Sequence, residues 1–182
     1  MIISTALLIR ERGAHSTAIS DVLEHSGAPR GSAYHHFPGG RTQLLGEAVD
    51  YAAEHVATQL AAATDGADLL DGIVDRFRSA LVESNFRAGC PVAAVAVEAD
   101  NGPVLDRAGA AFTRWHDLIT ERLVADGLDE DRARDLTPFL TSAIEGAVVI
   151  ARATRDLAPL DSTHRHLAAL LHAEMGSTRD DR

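Results

Sequence analysis

The chain has 182 residues, enough for one large domain or a small module joined to a larger one; 46% are hydrophobic and only 4% aromatic. A core of Ala, Leu, Val and Ile with so few aromatics favours close-packed helices over a β-sandwich, no apolar run approaches the ~18 residues of a membrane span, and the lone cysteine, Cys90, excludes an internal disulfide framework and suits a reducing cytoplasm. The net charge of −10 argues at first against nucleic acid, but residues 1–46 hold four arginines against three acids, which leaves −11 on the rest and a near-neutral, histidine-bearing head.

Apolar residues recur at helical spacing almost throughout. Ile2, Ala6, Leu7 and Ile9 predict a first helix that ends at Gly13. The opening "MIISTALLIRERG" is too short and wrongly flanked for a signal peptide and reads as an amphipathic helix. Thr17 is the expected N-cap of a short second helix carrying Ile19, Val22 and Leu23, stopped by Ser26-Gly27. Ala28-Pro29 opens a third, and Pro38-Gly39-Gly40 ends it. A long fourth helix is expected over 41–63, broken at Asp65-Gly66, and Asp68 is the expected cap of a fifth that reaches about Phe86.

Gly89-Cys90-Pro91 separates this from a short sixth helix over about 92–99, although "VAAVAV" alone would also suit a strand. Asn101-Gly102-Pro103 leads into a seventh helix to about Ala125. The eighth runs from near Asp129 to Thr154, with a kink or break expected at Pro138. Asp161 is the expected cap of a ninth, which ends near Met175 before a polar, fraying tail. The chain thus reads as all-α, with three short helices followed by six mostly longer ones.

The chemistry-bearing stretch is "GAPRGSAYHHFPGGRTQLLGEAV", residues 27–49. Ser26-Gly27-Ala28 gives the turn of a helix-turn-helix, whose second helix would be presented to a DNA major groove. Ile19, Val22, Leu23 and Ala33 suit the inside; Arg30, Ser32, Tyr34 and His35 suit the outside. Thr17, at a helix N-terminus, suits a phosphate, and Arg41 opens the fourth helix within reach of backbone oxygens. Tyr34 and His35 can touch phosphates or base edges, while Tyr34 is also open to packing. His35 and His36 point about 100° apart on a helix and lack the companions of a metal site, so no metal is expected, nor any cofactor. Phe37 reads as core, and His164, His166 and His172 as a solvated face. Cys90, beside Pro91, reads as a buried structural thiol, with a sensing role open.

"TAISDVLEHSGAPRGSAYHHFPGGRTQLLGEAV" resembles the N-terminal domain of TetR-family transcriptional regulators: a Thr opening helix two, a Gly before helix three, the Gly31-Ser32-Ala33-Tyr34-His35-His36-Phe37 run, then a basic residue opening helix four, here Arg41 where the family often has lysine. "FRAGCPVAAVAVEAD" (86–100) and "SAIEGAVVIARATRDLAPL" (142–160) resemble the LmrA/YxaF-type subgroup. The resemblance implies a DNA-binding helix-turn-helix domain over 1–46, with Gly31 among the DNA-facing residues, and a ligand-binding and dimerisation domain over 47–182. It implies a double-stranded DNA operator as partner, no catalytic activity and a cytoplasmic place of work.

Two copies are needed to read a bipartite site. Phe139, Ala143, Ile144, Ala147, Val148 and Ala151 form one apolar stripe and Leu167, Leu170 and Leu171 another. Packing inside one protomer would also explain both stripes; the resemblance favours a four-helix bundle across a homodimer two-fold axis. The resemblance also implies a cavity enclosed by helices four to seven, where the scarce aromatics Tyr51, Phe77, Phe86, Phe112 and Trp115 gather with Asn85 and His116 as polar candidates. Such a lining suits a small, flat, hydrophobic effector, although these aromatics could equally fill a core. The expected function is a ligand-responsive repressor released from a palindromic operator. The alternatives are a helical small-molecule-binding protein without DNA binding, and an enzyme using Cys90 or a histidine.

Overall fold

A computed structural model describes residues 1–98 and 102–180, with side chains followed as far as Gly176. Among the described residues there are nine α-helices: α1 (Ile2–Arg12), α2 (Ile19–Ser26), α3 (Arg30–His36), α4 (Gly40–Ala62), α5 (Gly66–Glu83), α6 (Pro91–Glu98), α7 (Pro103–Ala125), α8 (Glu130–Thr154) and α9 (Ala158–Asp180). "VAAVAV" is therefore helical. The break expected at Asn101-Gly102-Pro103 is described only from Gly102 onward, because Asn101 lies outside the described residues. Pro103 takes the first position of α7, where its missing N–H is no loss.

Several helix ends differ from expectation for local reasons. The N-cap of α2 is Ala18, not Thr17: the Ala18 N–H donates to the Asp21 carboxylate at 3.2 Å, so the acid three residues on supplies the cap. In α5 the cap is Asp65, whose carboxylate accepts from the Asp68 N–H at 2.8 Å. Asp68 reaches back to the Thr64 N–H at 2.8 Å; the break expected at Asp65-Gly66 separates α4, which ends at Ala62, from α5, which begins at Gly66. Asp161 sits within the first turn of α9, which starts at Ala158 and stays helical to Asp180, past the expected end at Met175; the last two residues of the expected fraying tail lie outside the described residues. α8 runs unbroken through Pro138. Pro138 and Arg134 both lie on its exposed side, so the carbonyl deprived of an N–H partner faces water.

The helices pack into two compact units, Met1–His55 with Arg87–Phe112 and Val56–Phe86 with Thr113–Arg182. This grouping follows packing and cuts across the 1–46 and 47–182 division drawn from sequence motifs. In the first unit α1 packs on α2 and α6, and α2 on α3. Its small core is Leu8, Val22, Phe37 and Leu44, with Met1, Ile2 and Ile19 against it. Each such side chain contributes about 1.5–3 kcal/mol when fully buried, enough to fix three helices too short to hold themselves.

In the second unit α9 packs on both α5 and α8. Arg78 of α5 bonds Asp161 of α9 at 2.8 Å, and His164 of α9 lies 2.6 Å from Asp71 of α5, so this histidine is tied to a neighbour rather than solvated. That Asp161 partner holds the Arg78 guanidinium above its usual range. By length and composition α8 could cross a membrane, contrary to the sequence expectation that no run suffices. Its apolar side is instead core, with Leu136, Leu140, Ile144, Ala147, Val148 and Ala151 all buried in the protomer.

Candidate nucleic-acid interface

The interface begins with a backbone requirement. Gly27 ends α2 with φ 66° and ψ 14°, a left-handed conformation that costs glycine nothing and lets the chain turn at once. Pro29, extended at φ −60° and ψ 141°, then caps α3. Ala33 is buried and turns the helix; Arg30, Gly31, Tyr34, His35 and His36 are consequently exposed. Tyr34 is 70% exposed, so packing does not account for it. The His35 and His36 rings meet edge to face at 5.1 Å. Ser32 is half-buried and its hydroxyl donates to the Pro29 carbonyl at 2.7 Å, bracing the first turn rather than standing free.

Two residues expected on phosphates are engaged elsewhere. Thr17 is 1% exposed, and its hydroxyl donates to the Gly13 carbonyl at 2.7 Å. Arg41 turns its guanidinium onto the α1–α2 loop: Nε donates to the Thr17 carbonyl at 2.9 Å, Nη2 to the His15 carbonyl at 3.3 Å and to that of Ala14. The same loop is held from α6, where the Glu98 carboxylate accepts from the His15 N–H at 2.7 Å. Gly13, at φ 86° and ψ 164°, leaves the space that this carboxylate occupies. The Gly89 N–H also donates to the Arg10 carbonyl at 2.8 Å, and Arg87 pairs with Glu11 at 3.6 Å. Glu98 lies 83 residues from His15, a separation at which no sequence spacing could have singled it out.

The residues expected around an effector divide between the units. Tyr51 and Phe112 belong to the first, Phe77, Asn85, Phe86, Trp115 and His116 to the second. Trp115 is buried, while Tyr51 is 44% exposed. Asn85 and Phe86 form a left-handed pair at φ 52° and 60°, closing the end of α5, with the Phe86 N–H on the Leu81 carbonyl. An open cleft of about 580 Å³ lies in the second unit, lined by Asp65, Leu70, Asp71, Asp126, Leu171 and Met175 among others, and by none of the seven expected residues.

His116 has a buried Nε2 with no hydrogen-bond partner among the described residues, and burial lowers its pKa below the ordinary 6.5 against the opposing charge of Asp117. A histidine kept neutral by folding binds fewer protons than in the unfolded chain just below that value, so stability falls as pH falls through that window. In urea unfolding between about pH 7.5 and about pH 5, His116→Asn is expected to lose less stability than wild type. Equal losses would mean that His116 does not carry the effect.

Most of the expected dimer stripe is protomer core. Ile144, Ala147, Val148, Ala151, Leu167 and Leu171 are each at most 5% exposed within one chain. Ala143 and Leu170 are half-buried, and Phe139 alone of the nine is exposed, at 54%. The large apolar residues that α8 shows to solvent are Phe139, Val149 and Ile150, with Gly146 between them in sequence. Phe139 already stood in the expected stripe, whereas Val149 and Ile150 fell outside it; periodicity alone does not say which apolar residues face inward.

Two family models match the chain. "Bacterial regulatory proteins, tetR family" covers residues 2–48, and "Transcriptional regulator LmrA/YxaF-like, C-terminal domain" covers 66–166. An HTH-type transcriptional regulator of Mycobacterium tuberculosis is 59% identical over 182 residues, spanning 96% of this chain and 94% of the relative. The HTH-type transcriptional regulator LmrA of Bacillus subtilis is 29% identical over 159 residues, 84% of this chain and 85% of its own. In fold, the chain is similar to a TetR transcriptional regulator from Legionella pneumophila, with TM-score 0.80 at 17% identity over 93% of this chain and 94% of that one. A regulatory protein TetR from Rhodobacter sphaeroides gives TM-score 0.79 at 20% identity, over 91% and 94% of the two chains.

Proposed function

We propose, from the premise that this chain belongs to the TetR family of bacterial transcriptional regulators, that it is a homodimeric repressor released from a palindromic operator by a small hydrophobic effector. DNA-binding regulation, with no enzymatic activity, comes with the family; mode, operator and effector are the proposal. The observation that carries it is the exposed face of α3, where Arg30, Gly31, Tyr34 and His35 stand clear of the core just after the left-handed Gly27. Residues 1–46 read DNA in this scheme, and 47–182 bind effector and dimerise. Two copies of α3 would enter successive major grooves about 34–36 Å apart.

The exposed Phe139, Gly146, Val149 and Ile150 of α8 are the surface offered to the second copy, together with the outer side of α9. Trp115 and the unpartnered Nε2 of His116 on α7 mark the region proposed for the effector, which would find there an apolar wall and one fixed polar atom. The protein works in the cytoplasm, where its DNA lies.

The experiment is selection of duplexes from random-sequence DNA, followed by affinity measurements over a range of salt. Wild type is expected to enrich a two-fold symmetric site. Arg30→Ala is expected to bind it more weakly and to lower the slope of log affinity against log salt by about one per protomer. If no sequence is enriched, the reading gives way to a helical ligand-binding protein without DNA binding.

A further inference from the structure

We infer that Arg41 and Glu98 form a two-sided clamp on the α1–α2 loop, and that both are positioning residues for DNA binding rather than DNA contacts. The inference rests on the DNA-reading role proposed for α3. The loop spans residues 13–18 and delivers the chain from α1 into α2. A loop of this length has few ways to satisfy its own polar groups, and an unsatisfied group next to a core is costly.

Here the work is divided by charge. The cation Arg41, from the first turn of α4, takes the carbonyls of Ala14, His15 and Thr17. The anion Glu98, from the last turn of α6, takes the N–H of His15. Thr17 completes the arrangement by returning its hydroxyl to the Gly13 carbonyl. His15 is gripped at both ends of its backbone, by the guanidinium at its carbonyl and the carboxylate at its amide. Charge-assisted bonds of this kind are roughly twice as strong as neutral ones.

Fixing this loop fixes where α2 begins. Because α3 follows α2 by a tight turn and packs on it, the setting of α2 is passed to the exposed face of α3. A guanidinium with Nε and Nη2 both committed to carbonyls is not free to form a fork on a phosphate. Arg41 therefore acts through the loop. Glu98 gives α6 a direct hold on the reading head, through a contact with no DNA in it.

The test separates position from contact. On a duplex selected by wild type, Arg41→Ala and Glu98→Ala are expected to bind on the order of tenfold more weakly at every salt concentration, with salt slopes parallel to wild type. Glu98→Gln keeps an oxygen acceptor at the same reach and is expected to bind within about twofold of wild type. The DNA-independent readout is amide exchange at His15: on the order of tenfold faster in Glu98→Ala, near wild type in Glu98→Gln, with the α8 amides unchanged in both. A salt slope lowered by about 0.9 per protomer in Arg41→Ala returns that residue to phosphate contact and overturns the clamp. So does unchanged His15 exchange, or unchanged affinity, in Glu98→Ala. If Arg30→Ala leaves the slope unaltered while His15 exchange responds as expected, the clamp stands and the assignment of α3 fails instead.

Discussion

Ala147→Arg is expected to unfold the protomer rather than simply to separate one copy from the other. Ala147 is 2% exposed within a single chain, on the side of α8 that also buries Ile144, Val148 and Ala151. A guanidinium forced into this layer would be taken out of water beside apolar side chains. An uncompensated buried charge costs about 3–5 kcal/mol, a large share of the roughly 5–15 kcal/mol that stabilises a typical domain. The effect should appear as a large drop in urea midpoint and lost cooperativity, at any protein concentration. Ile150→Arg is the contrasting variant. At 53% exposure its side chain can reach water, so the protomer should keep its fold while light scattering reports a monomer. An Ala147→Arg protein that remains folded and merely monomeric would place the interface on the buried stripe after all.

Gly13→Ala should have the second-largest effect. At φ 86° and ψ 164° the residue occupies a region that is essentially glycine's alone, and holding any other residue there costs about 1–3 kcal/mol. Its Cβ would also collide with the Glu98 carboxylate and push it off the His15 N–H. Strain and lost clamp should therefore appear together, as lower thermal stability and weaker operator binding. Adding Glu98→Ala removes the collision but not the backbone strain, so the double variant should be more stable than the sum of the single losses predicts. Strictly additive losses would show that the two residues do not meet.

Much of the fold was legible because it depends on short-range rules. Period-3.6 spacing of Ile, Leu, Val and Ala, punctuated by Gly13, Gly27, Pro38 and Pro103, gave nine helices in order. Of the candidate DNA face, Arg30, Gly31, Tyr34 and His35 are exposed as read, because on a short helix one buried alanine fixes where the others point. What escaped was decided by partners that apolar spacing does not display. Thr17 was expected to cap α2, but the Asp21 carboxylate does so at Ala18, and the guanidinium of Arg41, expected near phosphates, lies on the carbonyls of the α1–α2 loop. The α8 stripe was real, but it faces the protomer's own interior. Pro138 did not break α8: it and Arg134, whose carbonyl loses its N–H partner, both lie on the exposed side.

The first compact unit is assembled from two separate stretches of chain, 1–55 and 87–112. The reading head is thus not a portable cassette. Cut after residue 55, it would carry Arg41 but lose Glu98, the Gly89 bond to Arg10 and the Arg87 pair with Glu11. A helix-turn-helix grafted from this chain onto another body would likewise arrive without its far-side grip unless α6 travelled with it.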